Sequence, residues 1–124
     1  MSHFYLADLI SSINNGQRSH RKWVEVKFCK FSLSVLTFLY IEGFISGFSI
    51  LSCYRIRIFL KYVNSMYIGD FVLISKPSQR VFVKIDDKRL KQLGVISTTK
   101  GLFLSHMVSD LNCGGEFLFA IFFK

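Results

Sequence analysis

The end of the chain constrains its fold more than any other part. Glu116 to Phe123 is a nearly continuous apolar run that follows Gly114-Gly115. A strand of this kind is buried on both faces or closed over by a partner, because no face of it is polar enough to meet water. The paired glycines let the backbone turn tightly before it. One residue breaks the pattern: Glu116 stands at the head of an apolar strand, in a chain with 16 Lys and Arg against 8 Asp and Glu.

Other segments alternate with a period of two, which separates their chemistry by face. Val24-Glu25-Val26-Lys27-Phe28 reads as a short half-buried strand. In the segment from Arg55, Ile56, Ile58, Leu60 and Tyr62 point one way, while Arg55, Arg57, Phe59 and Lys61 point the other. That basic outer face serves equally well as a solubilising surface or as a row of phosphate contacts. Val81 to Ile85 repeats the pattern, with Val81, Val83 and Ile85 inward and Arg80, Phe82 and Lys84 outward. An aromatic ring flanked by two cations suits an RNA platform, and it also suits a partly covered surface Phe.

Helical spacing appears in two places near the start. Leu6, Leu9, Ile10 and Ile13 predict a helix over about 2–13, ended by Asn14-Asn15-Gly16. A second helix is expected from Phe31 or Ser32 to Glu42, stopped by Gly43, with Phe44 to Cys53 and Arg55 to Val63 as strands after it. The turn-forming residues of 64–79 put a domain boundary there, giving an N-terminal domain over 1–66 and a C-terminal domain over 67–124. Asp86 to Leu90 reads as a short helical connection and Leu102 to Leu111 as a short helix. The expected class is α/β of the α+β kind: a helix-strand-helix-strand-strand unit, then a mostly-β domain with a short helix.

The net charge of +8 favours a polyanionic partner, nucleic acid or an anionic membrane surface. It is concentrated between Arg55 and Lys100, where ten basic residues face three acidic ones. Catalytic readings find little support. Ser97, His106 and Asp110 can be drawn as a triad on paper, but no Gly-x-Ser-x-Gly elbow accompanies them. Lys100-Gly101 reverses the order that a phosphate-binding loop needs. Cys29, Cys53 and Cys113 are dispersed, and His3, His20 and His106 share no ligand spacing, so no metal and no cofactor is expected.

A membrane protein is the competing class. Phe31 to Tyr54 carries Glu42 as its only charge and is long enough to span a bilayer. Against it stand the central carboxylate and a Glu42-Gly43-Phe44-Ile45 stretch that fits a helix stop and strand start. The N-terminus shows no cleavable signal pattern and no Arg-rich presequence before Asp8. Fourteen Phe, two alanines and one proline suggest a gene rich in A and T. Together these point to synthesis inside an organelle, a mitochondrion ahead of a plastid.

The segment Ser97-Thr98-Thr99-Lys100-Gly101 is followed, thirteen residues on, by Gly114-Gly115-Glu116. A Ser-Thr-Thr turn crowds three hydroxyls and several backbone N–H groups together, a chemistry suited to ribose, phosphate and exposed base edges. With it, in order, come Ala7-Asp8-Leu9-Ile10 and Ile13-Asn14-Asn15-Gly16-Gln17, the Leu36 to Ile45 stretch, and Ser75-Lys76-Pro77-Ser78-Gln79-Arg80-Val81-Phe82. This succession resembles the small-subunit ribosomal protein S-eight family. The family usually has Tyr where this chain has Phe82, which removes a hydroxyl. The resemblance implies an rRNA-binding constituent of the small subunit, monomeric within the ribosome, held on an irregular stem of the central domain of small-subunit rRNA beside neighbouring ribosomal proteins. It places Glu116 near the Ser-Thr loop, where a carboxylate can hold hydroxyls or accept from base amino groups. Ser97, Thr98, Thr99, Lys100, Gly101 and Glu116 are then the geometry-sensitive contacts, with Arg80, Phe82, Lys84, Arg55, Arg57 and Lys61 around them.

Overall fold

The structure is a computed structural model and describes residues 2–52, 54–67, 69–76, 79–85, 87, 91–108 and 113–123. The fold is mixed α/β, and the chain divides into two compact units, Met1–Gly69 and Asp70–Phe123.

The first unit begins with helix α1, Ser2–Arg18. Its apolar stripe of Leu6, Leu9, Ile10 and Ile13 is at most 3% exposed. The helix does not stop at Asn14-Asn15-Gly16. Gly16 lies inside it, where a Cβ would come within 2.4 Å of Val24 Cγ1 and 2.8 Å of Leu60 Cδ1. The glycine is a site of close approach between helix and strand, and the chain turns only at His20, whose φ is 53°.

Strand β1 is Trp23–Lys27, and helix α2 is Lys30–Glu42. Gly43 ends α2 at φ 87°, the left-handed conformation that favours glycine. The Lys61 ammonium donates to the Gly43 carbonyl at 3.1 Å, placing a cation at the helix C-terminus, as the dipole prefers. Strand β2 follows as Gly47–Ile50, shorter than the expected 44–53, and β3 is Arg55–Phe59. The 31–54 stretch is thus helix, turn and strand. Among the described residues no helix is long and apolar enough to cross a membrane.

The three strands form an antiparallel sheet in the order β1-β3-β2. Val24, Val26, Ile56 and Ile58 are buried on one face together with Val35, Leu36 and Leu39 of α2, and Leu60 continues the alternation one step past β3. Arg55 and Phe59 lie on the opposite, open face. A hairpin of β4, Tyr62–Val63, and β5, Met66–Tyr67, turns through Asn64 and Ser65, both at positive φ.

In the second unit, apart from Gly69 at the head of β6, β6 is Gly69–Leu73, β7 is Phe82–Val83, β8 is Gly94–Thr98, β9 is Gly101–Leu104 and β10 is Gly115–Phe123. They make one five-stranded sheet along the path β6-β10-β8-β9, with β7 added to β10. The terminal strand is therefore internal, which explains its composition. Residues 116–121 are all buried, while Phe122 and Phe123 emerge. Val83, Ile96, Val108, Phe117 and Ala120 form the core cluster, and Phe71 meets Phe119 edge-on at 5.8 Å.

Two local expectations change. Residues 101–104 form a strand, because Gly101 pairs back on Thr98 and the segment zips onto β8. Among the described residues helical character begins with a 3-10 turn at Ser105–Met107 and continues at Val108, and 109–112 of the expected helix lie outside the described residues. Ile85 is 39% exposed, since β7 ends at Val83. Of the expected connection at 86–90, only Asp87 is described; it donates its N–H to the Lys84 carbonyl at 3.1 Å.

Candidate nucleic-acid interface

The sheet of the second unit assembles its polar residues in one cross-strand row. Antiparallel register sets Leu102 of β9 against Ser97 of β8, Ser97 against Glu116 of β10, and Glu116 against Phe82 of β7. Directly opposed residues share a face, so the Ser97 hydroxyl, the Glu116 carboxylate and the Phe82 ring lie side by side.

The row depends on glycine at 115. A Cβ there would fall 2.1 Å from the Ser97 carbonyl oxygen and 3.1 Å from Thr98 Cα. Only glycine lets β10 pass this close to β8, and that spacing sets Glu116 opposite Ser97.

Glu116 is 6% exposed and is engaged by Arg80, which sends Nη2 to Oε1 at 3.0 Å and Nε to Oε2 at 3.3 Å. This is a bidentate, charge-assisted pair. The hydrogen bond to Glu116, reinforced by its charge, raises the already high pKa of the guanidinium. Arg80 also lies over the Phe82 ring, with Cζ 5.6 Å from the centroid, and about half of its side chain remains in solvent. One face of the guanidinium is therefore used to build the site while its outer side stays available.

The position of Arg80 is set by Ser75. This fully buried hydroxyl donates to the Phe117 carbonyl at 2.8 Å and accepts the Val81 N–H at 2.9 Å. Lys76 and Gln79 exchange two backbone hydrogen bonds just before Arg80. From the sequence Ser75 stood only at the head of the Lys76–Phe82 segment, with no role of its own, because nothing in its neighbours signals that a small hydroxyl will be enclosed.

Thr99 and Lys100 form the turn between β8 and β9. The Thr98 hydroxyl accepts the Lys100 N–H at 3.1 Å and donates to the Gly101 carbonyl at 2.9 Å, and Gly101 sits at φ 122°. Thr98 thus shapes the turn, while Thr99, Lys100 and Gly101 are exposed. Among the described residues no partner takes the Ser97 hydroxyl. Lys84 is exposed just past β7. Hydroxyls, a braced carboxylate, a ring and cations are the groups that bind ribose edges, base amino groups, base faces and phosphates.

Cys113, given no functional role in the sequence reading, lies against this turn with Sγ 3.5 Å from Thr99 Oγ1. The Thr99 hydrogen bond, opposed by desolvation and aided by Thr98 and Lys100, lowers the thiol's pKa. Iodoacetamide alkylation, followed by peptide mass mapping, should therefore reach half its maximal rate for Cys113 at a lower pH than for a cysteine in a free peptide. Thr99→Val should move that midpoint back up. Unchanged midpoints would mean that the turn does not act on the thiol.

In the first unit the three cations singled out from sequence have different surroundings. Arg55 is exposed on the open sheet face. Arg57 donates from Nη2 to Glu25 Oε2 at 3.1 Å, and Lys61 caps α2 as described. Among the described residues no group of three His, Cys, Asp or Glu side chains converges on a possible metal position.

The sequence model of ribosomal protein S8 matches residues 5–122. Small ribosomal subunit protein uS8 of a Bradyrhizobium species is 34% identical over 130 aligned residues, covering 98% of this chain and 98% of the relative. The protein of the same name from Neorickettsia sennetsu is 31% identical, covering 98% and 100%. That of Anaplasma marginale is 34% identical, covering 94% and 96%.

Proposed function

Because the chain belongs to the ribosomal protein S8 family, we propose that it is a structural, non-catalytic constituent of a small ribosomal subunit that binds small-subunit rRNA and supports subunit assembly and translation. The contact is an irregular stem of the rRNA central domain, and the observation that carries this reading is the row Ser97, Glu116 and Phe82 beside the Thr98-braced turn. A regular A-form duplex hides its major-groove base edges and offers 2′-hydroxyls only along a uniform minor groove, whereas a distorted stem also presents unstacked bases to such a row. Lys84 and Lys100 supply the sequence-independent, salt-dependent part of the affinity. Within the subunit the chain is a monomer beside other ribosomal proteins.

The ribosome in question is the mitochondrial one. Fourteen Phe against one Pro fit the A and T bias of an organelle-encoded gene. Sedimentation of mitochondrial and plastid extracts, with peptide mass spectrometry across the gradient, checks this. Recovery in a plastid or cytosolic small subunit would overturn it.

The binding test compares a central-domain rRNA stem with a regular duplex of equal length across a salt series. Preference for the stem should be about tenfold or more and should persist at high salt. Lys84→Gln should weaken both RNAs together and reduce the salt slope by about one. Ser97→Ala should reduce the preference for the stem alone. Equal, salt-labile binding to both RNAs by the wild-type chain would defeat the reading.

A further inference from the structure

The stem-binding row leaves unused the open face of the sheet in the first unit. Register sets Trp23 of β1 against Phe59 of β3 and Phe59 against Gly47 of β2. The next row holds Glu25, Arg57 and Ser49, and beyond it Lys27 faces Arg55. All of these lie on the face away from the helices, because the intervening Val24, Val26, Ile56 and Ile58 are the buried ones. Rows on one face of a strand are about 6.8 Å apart.

Two aromatic rings stand exposed in the first row, Trp23 at 41% and Phe59 at 36%. The Arg57 guanidinium is stacked on Trp23, with Cζ 4.1 Å from the ring centroid, and is steadied by Glu25. Arg57 Nε is buried beneath this stack with no hydrogen-bond partner among the described residues. Space is left for a third planar group: a Cβ added at Gly47 meets nothing within 4 Å, so the row is open beside Phe59.

Charge decides what covers this face. Lys27, Arg55 and Arg57 stand against the single carboxylate of Glu25, so the surface favours a polyanion. Exposed rings interleaved with cations bind single-stranded nucleic acid, whose bases have free π-faces to stack. A duplex keeps its bases stacked inward and cannot use the rings.

We propose that the open face of the β1-β3-β2 sheet binds single-stranded RNA, stacking an unpaired base on the Trp23–Phe59 row while Lys27 and Arg55 hold the flanking phosphates. The proposal rests on RNA being the partner, and adds a surface that can be mutated separately from the Ser97 row.

Trp23 is the only tryptophan, so its fluorescence reports this face alone. Titrating the full chain with a short oligoadenylate should quench it, and an abasic strand of the same length should not. By anisotropy of labelled oligoadenylate, Trp23→Leu should weaken binding roughly tenfold. The double variant Lys27→Gln, Arg55→Gln, at two exposed positions, should weaken it by at least as much while leaving stem preference in place. Retained stem binding by each variant shows that it is folded. Quenching should survive in Ser97→Ala.

Absent quenching, equal quenching by the abasic strand, or unchanged affinity in both variants would overturn the proposal and leave this face to a protein neighbour. If the wild-type chain shows no stem preference but oligoadenylate still quenches Trp23, the stem reading fails and this one stands.

Discussion

Gly115→Ala should destabilise the chain by about 3–5 kcal/mol, at the top of the range for a single substitution. The added Cβ would meet the Ser97 carbonyl oxygen at 2.1 Å and the Ser97 carbonyl carbon at 2.9 Å. Both are backbone atoms, so no side-chain rotation relieves the clash and β8 and β10 must move apart. Because β10 lies inside the sheet and is buried from Glu116 to Ile121, the displacement spreads into the core. A domain stability of order 5–15 kcal/mol makes this a large fraction of the whole. Urea denaturation followed by circular dichroism measures it. Gly47→Ala is the matched control, since its Cβ meets nothing within 4 Å, and it should shift stability by less than about 1 kcal/mol. Equal midpoints for the two variants would contradict the close approach of β8 and β10.

Glu116→Gln should separate specificity from affinity. In the wild-type chain the buried carboxylate holds Arg80 by two hydrogen bonds, at 3.0 and 3.3 Å, and offsets its charge. The amide keeps the shape but removes the negative charge and one of the two good acceptors. Arg80, already half in solvent, becomes freer to meet phosphate. Affinity for a plain duplex should hold or rise severalfold, with a salt slope steeper by about one. Preference for the central-domain stem should fall by about tenfold or more, because the row that reads irregular geometry is no longer braced. Folding stability should drop by less than in Gly115→Ala, because the Arg80 cation can be solvated once the pair is lost. Parallel losses on stem and duplex would show that Glu116 serves the fold alone.

These two residues illustrate how much of the site could be read from the chain. Gly114-Gly115-Glu116 stood out as a motif, and a carboxylate at the head of an apolar strand asked for a partner. The partner did not stand out. Arg80 is 36 residues away and looked like one more outward cation on a short strand. Likewise the hydroxyls of Ser97 and Thr98 were visible as chemistry, but only hydrogen bonding separates Thr98, which braces the turn, from Ser97, whose hydroxyl takes no partner among the described residues.

The fold shows the same division. Alternation from Ile56 to Leu60 and the stop at Gly43 were legible because each depends on a few adjacent residues. Gly16 misled, since a glycine after two asparagines has the composition of a helix end. The space that Val24 and Leu60 would deny a Cβ belongs to another element. The 101–104 run misled for a related reason: a short apolar stretch fits helix or strand, and its pairing with β8 decided between them.

Element types wherever a face repeats, the need to cover the terminal strand on both faces, and the family were all legible in the chain, and the charge excess favoured a polyanionic partner. Those properties follow from periodicity, charge and ordered motifs, which are local or additive along the chain. Only the tertiary structure decided that Arg80 braces Glu116, that Lys61 caps a helix, and that Trp23 and Phe59 share a row with Arg57 stacked over the indole. Each of these is a meeting of residues distant in sequence, fixed by strand register and by where a missing Cβ leaves room, and none is encoded in any single stretch.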